Sequence, residues 1–250
     1  MAENEIAVPL TVGVERRPGR TPWGLADMAK AIGIVLAASL VILVPAAAVA
    51  AVLAGDSDLS ENDEALTVTL SASLVLELFL GASAVRFSVR KYRLSWADLG
   101  LRLPRRGGVW LPFVLLFGAV TAVYIYFAVL AALGTKPEGN IPDAAFDTPL
   151  LVALVGVLSL VFAPVVEELF FRGFIFGGLR GRWGLLPAAL ASGFLFSLTH
   201  GDPTVFVPFT AVGILFAWGY AYSGSLFASM VAHFLFNGVS FALALSGVTT

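Results

Sequence analysis

Apolar residues in this chain fall in long unbroken runs. They do not show the strict alternation of half-buried strands or the three-to-four spacing of surface helices. The runs cover residues 31–54, 65–85, 109–134, 149–180, 183–199, 204–222 and 225–244. Most approach or exceed the ~20 residues that cross a bilayer as a helix. They predict an all-α polytopic membrane protein, a bundle of about seven transmembrane helices. Pro45 predicts a kink in the first run. Glu77 is the lone charge in the second. It either serves as a relay group, faces the bundle interior beside a polar partner, or marks a misplaced span edge.

Composition agrees with this reading. Of the 250 residues, 58% are hydrophobic and only 13% are charged, and mean hydropathy is +0.90. A soluble domain carries about 25% charged residues. Net charge is -2, and nothing in it points to nucleic acid. The absence of cysteine excludes disulfides, thiolate metal sites and cysteine nucleophiles. Residues 1–28 mix Glu, Arg, Pro and Gly without helical periodicity and predict a soluble tail. Arg16, Arg17 and Arg20 before an apolar run imitate a signal peptide, but the run is longer than a signal core of about 7–15 residues, so a retained first span is expected.

The loops set an orientation. Arg86, Arg90, Lys91, Arg93, Arg102, Arg105 and Arg106 crowd one loop against a single Asp98, whereas Asp56, Asp58, Glu61, Asp63 and Glu64 make another acidic. With Arg180 and Arg182 in a later turn, the alternation puts the N-terminus and the 86–108 loop in the cytoplasm of a multi-pass cell-membrane protein. That loop either sets topology alone or also binds anionic lipid.

The candidate chemistry lies inside the runs. Residues 149–250 hold Glu167, Glu168 and Arg172 on the fourth run, Phe196 and His200 on the fifth, and His233 and Asn237 on the seventh. Residues 29–148, the first three predicted helices, carry no comparable motif. Ionisable groups at membrane depth are costly, at about 2.5–3.5 kcal/mol on insertion scales, and mark function by default. Glu168 and Arg172 are four apart, the favourable orientation for a helical ion pair, which predicts a structural clamp. Glu167 lies ~100° away around the helix and is left to face the other two motifs. Phe196 and His200 share a face, with the ring packed beneath the imidazole, as do His233 and Asn237. At ~1.5 Å per residue the three motifs reach overlapping depths, which predicts one intramembrane site.

Glu167-Glu168-xxx-Arg172, then Phe196-xxx-His200, then His233-xxx-Asn237 resembles the CAAX protease and bacteriocin-processing family of intramembrane proteases, which includes the type II CAAX prenyl endopeptidases. The resemblance spans roughly residues 150–240. It implies an endopeptidase acting on a peptide or membrane protein, with or without a prenyl group. Under it, Glu167 is the general base, assisted by His200; His233 and Asn237 stabilise the oxyanion; Glu168, Arg172 and Phe196 support the site. The family is also often described as metallopeptidases, and Glu167, His200 and His233 would then ligate Zn2+. No His-Glu-xx-His element is present, and with Glu167 as a ligand the only nearby base, Glu168, is committed to Arg172. Metal-independent glutamate chemistry without a cofactor is therefore the preferred expectation. Two further readings stay open: a transporter or proton relay, and a non-catalytic bacteriocin-immunity protein that binds a partner. Paired broken helices would mark a transporter, and none is visible in the sequence.

Overall fold

The computed structural model describes residues 20–135 and 142–247. Among these residues, six helices are long and apolar enough to cross a membrane: α1 (Leu25–Ala54), α2 (Asp63–Arg90), α3 (Gly108–Ala132), α4 (Pro149–Trp183), α6 (Phe206–Ser223) and α7 (Leu226–Leu245). A shorter apolar helix, α5 (Leu185–Leu198), lies between α4 and α6. The all-α polytopic bundle is as expected, but α5 has only 14 residues. It rises ~21 Å, less than the ~30 Å hydrocarbon core, so it is not the full fifth span that the sequence predicts. Gly201, at φ 68°, and Pro203 follow it, residues that do not continue a helix.

The helix starts follow local chemistry. The Asn62 side chain accepts from Ala65 N at 2.9 Å at the start of α2. Thr148 accepts from Leu151 N at 3.3 Å, with Pro149 in the first turn of α4, where its missing N–H costs nothing. Gly224, in the left-handed region at φ 70°, closes α6.

α4 is the axis of the bundle. α2 and α7 pack along it, α5 packs on its C-terminal half, and α3 closes over α6 and α7. Its residues Glu168–Phe176 are all buried. α5 and α6 touch through glycine, since a Cβ on Gly213 would fall 2.5 Å from Gly193 Cα. Outward residues such as Leu40, Val41 and Val52 are exposed and apolar, as lipid contact requires.

Residues 1–28 are not all a free tail. α1 begins at Leu25, and Trp23 is only 1% exposed. The Trp23 indole stacks on Phe174 and donates to the Phe174 carbonyl at 2.8 Å. The division at residue 148 is likewise not a packing boundary, because α2 lies against α4 and α3 against α6 and α7.

Several loop cations bind protein. Lys91 pairs with Asp27, which also accepts from Tyr92 Oη at 2.7 Å; the bond to Asp27 holds the Lys91 ammonium above the ordinary lysine range. Arg102 donates to the Gly224 carbonyl at 2.7 Å, Arg182 of α4 to the Thr21 carbonyl before α1 at 3.5 Å, and Arg20 to the Gly181 carbonyl of α4 at 3.0 Å. The basic stretches thus tie α1, α2, α4 and α6 together at one end, a role beyond topology or lipid binding. Lys136, Pro137 and Glu138 of the 135–148 loop lie outside the described residues.

Candidate active site

The winding of α4 prepares the site. Two stretches, Val157–Phe162 and Glu168–Phe176, are wound as π-helix, a widening that recurs at functional sites. In the first, Ala163 N–H bonds back five residues to the Leu158 carbonyl. Pro164 has no N–H to offer, so the Ser159 carbonyl lacks a donor from its own helix. Asn237 supplies one from α7, with Nδ2 at 2.8 Å. In the second, Gly177 N–H reaches back five residues to Arg172. There Ser192 Oγ of α5 donates to the Phe171 carbonyl at 2.8 Å, and Trp23 serves that of Phe174. An unpaired carbonyl in hydrocarbon costs several kcal/mol, so the Asn237 donor fixes where α7 meets α4, and the other two bonds add ties from α5 and from the segment before α1.

Glu168 and Arg172 are fully buried and form the ion pair read from their spacing, with Arg172 Nη1 2.8 Å from Glu168 Oε1. The guanidinium also lies 4.3 Å from the Phe196 ring centroid and 5.4 Å from that of Phe216, a favourable cation–aromatic placement. Glu168 is less exclusively committed than expected. Its Oε1 also faces His233 Nδ1 at 3.2 Å.

His233, 3% exposed, lies between the two glutamates. Nδ1 faces Glu168, and Nε2 is 3.7 Å from Glu167 Oε2. An ionised carboxylate accepts only, so the Nδ1 contact assigns a proton to that nitrogen. To donate from Nε2 as well, toward an oxyanion, the ring must carry both protons. His200 sits in the turn after α5 rather than on a helix. Its Nδ1 lies 3.0 Å from the Phe196 carbonyl, another pure acceptor. Nε2 of a neutral His200 is therefore the free lone pair. The Phe196 ring meets both imidazoles edge-on, at 4.9 Å for His200 and 5.9 Å for His233.

His200, His233 and Asn237 line one small, partly open cavity, together with Phe196, Phe209, Val212 and Phe236. The structure thus joins the motifs around His233. Glu167 and Glu168 lie against its two ring nitrogens, and His200 and Asn237 share the cavity lining with it. Asn237 spends one amide N–H on Ser159, and its second N–H and its carbonyl remain for the cavity.

A metal would need a convergent donor set. No group of three or more His, Cys, Asp or Glu side chains is placed to hold an ion among the described residues. His233 has a carboxylate opposite each ring nitrogen, and His200 has one nitrogen on a carbonyl. As they stand, Glu167, His200 and His233 do not fit zinc.

One participant went unassigned in the sequence. The Glu77 carboxyl, from α2, lies beside the Glu167 carboxyl. Its signal was a charge inside an apolar run; its target was not readable.

Residues 149–239 match the family described as type II CAAX prenyl endopeptidase Rce1-like. The chain is also 30% identical over 125 residues to the protein named "Putative membrane peptidase YdiL" of Bacillus subtilis (strain 168), an alignment covering 50% of each chain. The chain therefore spans about half the length of that curated relative. No solved structure matches the chain significantly.

Proposed function

Because residues 149–239 belong to the Rce1-like endopeptidase family, we propose that this chain is an intramembrane endopeptidase in which Glu167 activates water. The observation that carries the reading is His233, held between Glu167 and Glu168 at the wall of a cavity that also presents His200 and Asn237. Water oxygen attacks the scissile carbonyl carbon while its proton passes to Glu167, with His200 Nε2 accepting a hydrogen bond from the same water. The oxyanion so formed meets the free Asn237 N–H and a doubly protonated His233. Collapse breaks the C–N bond, and the proton held by Glu167 leaves with the amine. Long contacts in a substrate-free site are ordinary and tighten around the reacting groups.

The test is cleavage of a quenched fluorescent peptide by purified protein in liposomes. Probes ending in Cys-a-a-X are compared with and without a prenyl group, beside an apolar peptide lacking that tail. Turnover of any probe that is lost in Glu167→Gln supports the reading. Turnover that survives in Glu167→Gln overturns it.

The same assay weighs Asn237. Asn237→Ala is expected to lower kcat and kcat/KM together by about 10²–10³-fold, the effect of losing an oxyanion donor. It should also lower Tm, since the Ser159 carbonyl loses its donor. A fall in Tm with normal kcat would leave Asn237 a helix tie only.

The reaction proposed needs no metal. Activity is expected to survive exhaustive chelation, with zinc below one equivalent per chain by elemental analysis. Zinc-dependent recovery of a chelated, inactive sample would reverse this.

We place the N-terminus and the 86–108 loop in the cytoplasm, on the Lys and Arg asymmetry of the loops. A cysteine at Ser57 should be labelled from outside intact cells and one at Ser95 should not. The converse pattern inverts the protein.

A further inference from the structure

Glu77 lies outside the matched region and outside the peptidase motifs, yet its carboxyl meets the proposed base. It sits mid-way along α2, on the face turned to α4. Gly81, one turn later, lets the two helices approach: a Cβ there would lie 3.3 Å from Val166 Cγ1, beside Glu167. Glu77 Oε2 and Glu167 Oε2 are both buried, and neither finds an N–H or O–H donor among the other described side chains and backbone. The remaining groups around Glu167 are Glu168 and Arg172 of its own helix and His233 of α7 at 3.7 Å. Two carboxylates cannot hydrogen-bond each other, and in hydrocarbon they would repel without screening. A carboxyl–carboxyl bond requires a proton on one partner, which then donates. Glu167 has His233 and Arg172 nearby to favour its charge. Glu77 has no cation beside it among the described residues.

We propose that Glu77 is a positioning residue that stays a neutral acid and donates its O–H to the Glu167 carboxylate, fixing the base beside His233. This rests on the peptidase reading for its catalytic consequence, but the shared proton itself does not. The donor bond leaves the second oxygen of Glu167 free to take the proton of water. It also stops the carboxylate from turning on its flexible stem toward the lipid face of α4. α2 is thereby part of the working site.

The experiment uses the full chain and reads two quantities. The first is the infrared carbonyl band of a protonated carboxyl group at neutral pH, expected in the wild type and lost in Glu77→Gln. The second is turnover of whichever peptide probe the wild type cleaves. Glu77→Leu removes the donor and is expected to lower kcat by about 10²-fold, the scale for a misplaced reacting group, with KM unchanged. Glu77→Gln still offers an N–H to Glu167 and should recover most of that kcat. A protonated-carboxyl band that persists undiminished in Glu77→Gln overturns the proposal, whatever the activity. So does a Glu77→Leu variant that melts lower yet turns over like wild type, because Glu77 is then a helix tie alone. If Glu167→Gln cleaves normally, the assignment of the base to Glu167 fails, while the infrared result still decides whether the two acids share a proton.

Discussion

Glu167→Gln is expected to lower kcat by about 10²–10⁴-fold, the span for loss of a general base, with Tm close to wild type. The change is nearly isosteric. The carboxamide oxygen still accepts from Glu77, so the contact between α2 and α4 survives. The Arg172–Glu168 pair is untouched, because it uses the neighbouring carboxyl on another face of the helix. What disappears is the only oxygen able to take a proton from water while keeping its link to α2. Measuring kcat on the peptide probe beside a melting curve checks both halves. Activity within tenfold of wild type would move the base role to His200, whose Nε2 is the other free lone pair at the cavity.

Glu168→Gln should act through stability first, at a cost of about 3–5 kcal/mol, the range for breaking a buried ion pair by removing one partner. Arg172 is wholly buried, and its Nε and Nη2 have no acceptor among the described residues. Its charge is balanced first by Glu168, then by the more distant Glu167 and the faces of Phe196 and Phe216, and a desolvated aromatic face is worth about 2 kcal/mol or more, less than a direct ion pair. Pairing Glu168→Leu with Arg172→Leu separates the clamp from the chemistry. Two apolar residues in place of a buried pair often restore stability, so Tm should return toward wild type. Turnover should not return, because His233 Nδ1 loses the acceptor that fixes its proton. A stable double variant with full activity would make Glu168 dispensable for orienting the imidazole.

What the sequence made legible was whatever depends on spacing within one helix. The apolar runs give the spans, and four-residue spacing gives Glu168 with Arg172, Phe196 beneath His200, and His233 beside Asn237 in the cavity. What it left dark depends on contacts between helices or on departures from ideal winding. The reach of Glu77 to Glu167 requires Gly81 to bring α2 close. Trp23 was lost in a polar tail because its indole answers a carbonyl 151 residues away. The dual engagement of Glu168 was hidden for the same reason: helix spacing names Arg172, and only tertiary packing adds His233.

The two widened stretches of α4 have a consequence for how the chain tolerates change in length. A helix aims its side chains by counting, since each residue turns the direction by about 100°. A π-wound turn holds one residue more than an α-wound turn and absorbs it without advancing the face. Deleting a single residue within Val157–Phe162 would let that turn relax to ordinary winding with Pro164 and everything after it in place. Deleting one between Ala163 and Glu167, where α4 is already α-wound, offers no such slack, and it would swing one or the other glutamate off the face that meets His233. The segment is thus elastic in residue number before Pro164 and stiffer over Ala163–Glu167. Insertions and deletions among natural variants of this chain should collect on the N-terminal side of Pro164.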